Sequence, residues 1–256
     1  MSVKMKKVLS VMLTILCLGV FIYAANGLID TAIDYYKNRK VLNNIQETFY
    51  ASDPGEINKR ENGTNPNSVR SGFDILLKEN KELVGWIAIE DTQIDYPILK
   101  ADNNTDYLRQ DFYKEDNIVG SIFMDFRNNV KSPGLNTIVY GHRTKDGSMF
   151  EHLSKYEDRE FFKNHQTIEF DTLYDSYEAE IFAVYNTTID FNYIQTDFAS
   201  DEDYEQLLTG IREESMYETD VEVTSDDRIL TLSTCDYDRD DNDGRLVVQA
   251  KLVKKG

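Results

Sequence analysis

Cysteine is almost missing from this chain: Cys17 and Cys235 are its only two thiols in 256 residues. That excludes a disulfide framework and any four-cysteine zinc site. Histidine is nearly as scarce, so imidazole chemistry has three candidates, His142, His152 and His165. Positive charge is short as well, with 28 Lys and Arg against 46 Asp and Glu and a net charge of -18. Of the first 27 residues only Lys4, Lys6 and Lys7 are charged, so the negative excess belongs to the rest of the chain. A surface that acidic repels phosphate backbones and argues against a nucleic-acid partner. No internal repeat is visible. Apolar residues are not lacking: 41% hydrophobic and 12% aromatic content supports a packed core and excludes global disorder.

Met1 to Lys7 is short and basic, and Val8 to Ala25 follows without a charge, extendable through Leu28. The length suffices for one bilayer crossing, and basic residues ahead of it predict a cytoplasmic N-terminus. No small-x-small site closes the run, so an uncleaved signal-anchor is expected over 8–28, with a cleaved signal peptide as the rival. Cys17 falls inside it as apolar filler. Either way the body of the protein is exported, and Cys235 then has no disulfide partner. An exported thiol without a partner is buried or used.

Helical spacing of Ile29, Ile33, Tyr36, Val41, Leu42, Ile45 and Phe49 predicts one or two helices after the anchor. Residues 51–68 are rich in Pro, Gly and Asn and read as a linker, and 69–80 as a short helix. From Leu83 the texture becomes that of strands: 84–89, 94–99 with Pro97 marking an edge or strand end, 121–125, 136–142, a hairpin of 167–171 with 177–185, then 228–235 and 245–250. Ser200 caps a predicted helix to about 217, with Asp201, Glu202 and Asp203 in its first turn. Eight short strands without a βα rhythm predict a mainly β, mixed or antiparallel barrel with added helices.

Two strand ends carry chemistry. Arg228-Ile229-Leu230-Thr231-Leu232-Ser233-Thr234-Cys235 ends on the thiol, and Arg245 opens the next strand after an acidic connector. His142 ends the strand 136–142 in the same way. A thiol has a free pKa of about 8.5 and needs a nearby cation to become the attacking thiolate. An imidazole meets that need and can protonate a leaving amine. Arg245 stays protonated, so it cannot be a base but can offset charge on a tetrahedral intermediate. Taken alone, Arg245 serves equally as a salt-bridge partner of the connector's aspartates. His152 and His165 sit in polar helical stretches as structural or exposed groups. An EF-hand would put Arg239 at its first position if Gly244 were its glycine, so the connector reads as a solvated turn and no metal or other cofactor is expected.

The chain resembles the class B sortases in Thr231-Leu232-Ser233-Thr234-Cys235, Tyr140-Gly141-His142, Arg245, Val84-Gly85-Trp86-Ile87 with Asp95-Tyr96-Pro97, Asn104-x-x-Tyr107-Leu108 and Gly120-Ser121-Ile122-Phe123-Met124-Asp125. The resemblance implies an eight-stranded sortase barrel over 69–256, behind a cytoplasmic segment 1–7, an anchor 8–28, and N-terminal helices and linker 29–68. It implies a membrane-anchored cysteine transpeptidase with its catalytic domain on the extracellular face. Cys235 would be the nucleophile, His142 the general acid/base and Arg245 the substrate and oxyanion stabiliser, with Tyr140, Ser233 and Asn104 in the pocket and Thr187 or Thr188 along the groove. Asp236 stands where some relatives have Glu. Implied partners are surface proteins bearing a C-terminal sorting signal cleaved after Thr, and an amine of peptidoglycan or lipid II. A cysteine endopeptidase and a non-enzymatic surface-binding domain are the competing readings.

Overall fold

A computed structural model describes residues 3–52, 69–70, 72–188, 190–235 and 244–255. Most of the expected linker and the acidic connector with Asp236 lie outside the described residues.

The strands are β1 (Leu83–Ala88), β2 (Asp95–Leu99), β3 (Phe123–Met124), β4 (Asn136–Tyr140), β5 (Thr167–Thr172), β6 (Ser176–Thr188), β7 (Ile229–Cys235) and β8 (Gly244–Lys254). They close into one barrel in the order β1-β2-β3-β4-β7-β8-β6-β5. All neighbours are antiparallel except β2 with β3 and β4 with β7, which run parallel. The expected eight-stranded mixed barrel is the observed one. Pro97 sits opposite Trp86 of β1, while β3 touches β2 only at Leu99, so the missing proline N–H leaves no ladder bond unmade.

Alternation along the strands sorts side chains into three apolar layers. Leu230, Leu232, Leu246, Val248, Val139 and Val184 fill the barrel. Trp86, Leu99, Phe123 and Leu83 face the N-terminal helices. Ile229, Val247, Phe182 and Tyr185 face α4 (Asp201–Glu214), whose Tyr204, Leu207, Leu208 and Ile211 cover them. Ser200 caps α4 as expected, its hydroxyl accepting from Asp203 N at 3.3 Å. Short helices α2 (Phe73–Glu79) and α3 (Arg159–Asn164) complete the set.

The largest difference from expectation is α1, a single unbroken helix from Val3 to Ser52 where an anchor and one or two separate helices are expected. No proline interrupts it. Its two glycines, Gly19 and Gly27, have no neighbouring group within 4 Å of where a Cβ would stand, so nothing pulls the chain aside there. An interior helical Gly costs only about 1 kcal/mol, which the flanking turns absorb. The first half of α1 is apolar and bare, long enough to cross a membrane. The second half docks through Asn38, Leu42, Ile45 and Phe49, a stripe at helical spacing, and Phe49 stacks on Trp86 with ring centroids 3.9 Å apart. One helix thus joins the apolar segment to the barrel.

Candidate active site

The site residues are brought together by strand register. Parallel β4 and β7 pair Tyr140 with Ser233, and Gly141 N prolongs the ladder to Ser233 O at 3.3 Å. Both strands therefore leave the barrel at the same end. One residue past Gly141 lies His142, and two past Ser233 lies Cys235. On the other side of β7, Cys235 pairs with Arg245 of β8, and Arg245 pairs in turn with Thr187 of β6. Directly paired antiparallel residues stand about 5 Å apart at their Cα atoms. Cys235, Arg245 and Thr187 thus form one row across β7, β8 and β6, and His142 lies two residues past the end of the neighbouring β4.

Glycine is required just before the imidazole. A Cβ on Gly141 would meet Ile122 Cδ1 and come within 2.7 Å of the Phe150 ring, both fully buried. Gly141→Ala should displace the end of β4, and His142 with it. If His142 is the catalytic imidazole, kcat should fall about tenfold or more, since angstrom-scale misplacement of such a group acts on that scale, with the barrel still folded by circular dichroism.

His142 is half-buried, and its Nε2 lies 2.8 Å from Leu108 O. A carbonyl only accepts, so Nε2 carries the hydrogen and Nδ1 is the basic nitrogen of the neutral ring. The backbone is held too, by Phe150 N donating to His142 O at 2.9 Å. Arg245 is half-buried and donates from Nη1 to Gly244 O at 2.8 Å.

The other expected pocket residues have more defined duties. Ser233 is only 2% exposed, its hydroxyl 2.9 Å from that of Tyr193. Thr187 is buried, while Thr188 is half-buried and donates to Asp190 Oδ2 at 3.2 Å. Asn104 donates from Nδ2 to Asp125 Oδ2 at 2.9 Å and accepts from Phe126 N at 3.0 Å. Tyr140 donates its hydroxyl proton to the same Asp125 oxygen at 2.9 Å. Burial and the Asp125 charge push the Tyr140 hydroxyl well above its ordinary range, so it stays protonated. His152 Nδ1 accepts from Gln93 N at 2.8 Å and His165 Nε2 meets Asp91 at 3.1 Å, both away from the row. Among the described residues no group of His, Cys, Asp or Glu is arranged to hold a metal ion.

Three residues that the strand pattern does not single out organise this face. Asp125 is wholly buried and takes a bidentate pair from Arg127, Nε to Oδ1 at 2.8 Å and Nη2 to Oδ2 at 2.7 Å. Burial alone would raise its pKa, but the hydrogen bonds from Arg127, Asn104 and Tyr140 outweigh that and hold it below the ordinary carboxylate range. Arg127 Nη2 also donates to Ile194 O at 3.1 Å. Asn136 Nδ2 donates to the carbonyls on either side, Tyr193 O and Gln195 O, each at 3.0 Å. Behind Asn136 a buried chain runs through Thr231, Gln249 and Tyr185, at 2.7, 2.8 and 2.8 Å. The segment 193–195 is therefore pinned by three consecutive carbonyls to Asn136 of β4 and to Arg127, beside the strand that carries Cys235.

A family model described as "Sortase domain" matches residues 87–253. The chain is 42% identical to sortase B of Listeria monocytogenes over 98% of its own length and all of the relative's. Among solved structures, sortase B from B. anthracis aligns with a TM-score of 0.77 at 49% identity, covering 87% of this chain and 99% of that one. A Staphylococcus aureus sortase B–substrate complex aligns with a TM-score of 0.78 at 39% identity, covering 88% and 100%.

Proposed function

Since this chain belongs to the class B sortases, whose members are cysteine transpeptidases, we propose that it cleaves a C-terminal sorting signal after Thr and passes the acyl group through a Cys235 thioester to a cell-wall amine. The observation that carries the residue assignment is the pairing of Cys235 with Arg245, with His142 two residues past the end of the adjacent β4. A thiol proton passes to the imidazole and the thiolate attacks the scissile carbonyl. Arg245 donates to the resulting oxyanion, which the imidazole cannot do while it holds the proton for the leaving group. The imidazolium protonates the departing amine as the C–N bond breaks, leaving the thioester and a neutral imidazole. The incoming amine loses its proton to that imidazole, forms the new amide and expels the thiolate.

Transfer to an amine, rather than to water, is the finer part of the proposal. The full-length protein in detergent micelles, given a Pro-x-Thr peptide library and increasing free amine, should yield ligated product that rises with amine at the expense of free acid. Free acid alone at every amine concentration would make it an endopeptidase. We also assign the apolar half of α1 as a single membrane crossing, supported by its bare surface and by Lys4, Lys6 and Lys7 ahead of it. The catalytic domain then stands on the extracellular face, carried by the docked half of the same helix, and its protein substrates and the peptidoglycan or lipid II amine meet it there.

A further inference from the structure

We propose that Asp125 is the positioning residue of the peptide groove, holding Asn104, Tyr140 and Arg127, and through Arg127 the Ile194 carbonyl, in the arrangement that seats a substrate beside Cys235. The inference deepens the transpeptidase reading and rests on it.

Asp125 stands just past β3 and has no exposed surface. Five donors converge on its two oxygens. Oδ1 accepts from Arg127 N at 2.9 Å and Arg127 Nε at 2.8 Å; Oδ2 accepts from Arg127 Nη2, Asn104 Nδ2 and Tyr140 OH at 2.7, 2.9 and 2.9 Å. A carboxylate has about four lone-pair sites, so this one has none left for a substrate or for His142. It acts only through what it holds, which makes it a positioning group rather than a catalytic one.

What it holds comes from separate parts of the chain. Asn104 lies in the connection after β2. Tyr140 ends β4, paired with Ser233 two residues before the nucleophile. Arg127 reaches 67 residues along the chain to Ile194. These pieces surround the face of β4 and β7 next to the catalytic row, and one charge ties them. The surface of a groove cut between three independent segments is only as fixed as the group that joins them.

Asp125→Asn keeps the shape and removes the charge. One oxygen becomes an NH₂ facing donors, so the Arg127 fork must open on at least one side, which loosens the guanidinium that holds Ile194 O. Arg127 is partly exposed at 34% of its side chain and can turn to water once freed. Arg127, Asn104 and Tyr140 already occupy both oxygens of Asp125, so the chemistry itself is left alone. The expected signature is a KM raised at least about tenfold, the scale of one lost charge-assisted hydrogen bond, with kcat within about threefold of the parent.

The test uses the full chain in detergent micelles and the best-cleaved quenched fluorescent peptide of the Pro-x-Thr library, with Asp125→Asn, Arg127→Gln and the double variant. Both single variants should raise KM by similar factors. The double variant should be no worse than Asp125→Asn, and iodoacetamide, followed by peptide mapping, should alkylate Cys235 at the parent's rate. An unchanged KM in Arg127→Gln overturns the proposal. So does a kcat and alkylation rate that collapse together with KM, which would make Asp125 a group that merely builds the fold. Should Asp125→Asn fail to fold, Arg127→Gln decides alone. A parent that cleaves none of the peptides overturns the transpeptidase reading itself, whereas an active parent with unaffected variants overturns only the role of Asp125.

Discussion

Replacing Cys235 by alanine is expected to lower peptide turnover by at least about 10³-fold, because covalent catalysis loses its only nucleophile and the rest of a site that works as a unit cannot compensate. The other cysteine, Cys17, lies in the apolar half of α1, far along the chain from the β7 edge, and cannot substitute. The variant should fold. Cys235 is the last residue of β7, so the strand keeps its ladder to β8 whatever side chain ends it. Melting temperature and far-ultraviolet circular dichroism should therefore match the parent while fluorescence of a quenched peptide stays flat. Turnover within tenfold of the parent would remove Cys235 from the mechanism.

The second large effect belongs to Arg245. Arg245→Ala should cost about 10²–10³ in kcat, the usual loss when one donor to a developing oxyanion is removed. Arg245→Lys is the discriminating variant. The bland reading makes Arg245 an ion-pairing residue at a strand edge, and a lysine would largely preserve that function. A carbonyl clamp needs the planar fork at a set distance, and a single ammonium on a flexible stem does not reproduce it. Activity in Arg245→Lys should thus stay closer to Arg245→Ala than to the parent. Because Nη1 also bonds Gly244 O, both variants should lose a little stability, about 1 kcal/mol, without unfolding. A lysine variant with full activity would return Arg245 to a structural role.

The strands were legible in advance because each couples β-branched and apolar residues with polar connections, and the barrel buries one face of nearly every strand. Their number and places follow from that, and so does α4 with its Ser200 cap. The parallel pairing of β4 with β7 is not local, since it joins residues more than 90 apart. The continuity of α1 was not legible either. Helical spacing runs through both of its halves, but the change from apolar to polar texture after residue 28 reads as an anchor followed by separate helices. Only the docking of Leu42, Ile45 and Phe49 on the barrel decides the course of the second half.

The proposed catalytic residues were conspicuous in the sequence because Cys235 and His142 stand at or just past strand ends and each belongs to a scarce residue type. Their support was not. Asp125 looks like any acid closing a strand, and nothing local announces five donors to it. Tyr193 and Arg127 depend on how the segment after β6 folds back over β7, which hydrophobic periodicity does not encode. Ser233, expected in the pocket, is buried with its hydroxyl 2.9 Å from that of Tyr193. Its position two residues before Cys235 fixes its face of β7 but not how deeply a neighbouring segment covers it.

The most direct test of the account is the covalent intermediate. The full-length protein is mixed with the best-cleaved peptide in the absence of amine, quenched in acid, digested and analysed by mass spectrometry. The acyl half of the peptide, ending in Thr, should be attached to the fragment containing Cys235, released by hydroxylamine and absent from Cys235→Ala. Cleaved peptide accumulating while that fragment stays unmodified would contradict the Cys235 thioester.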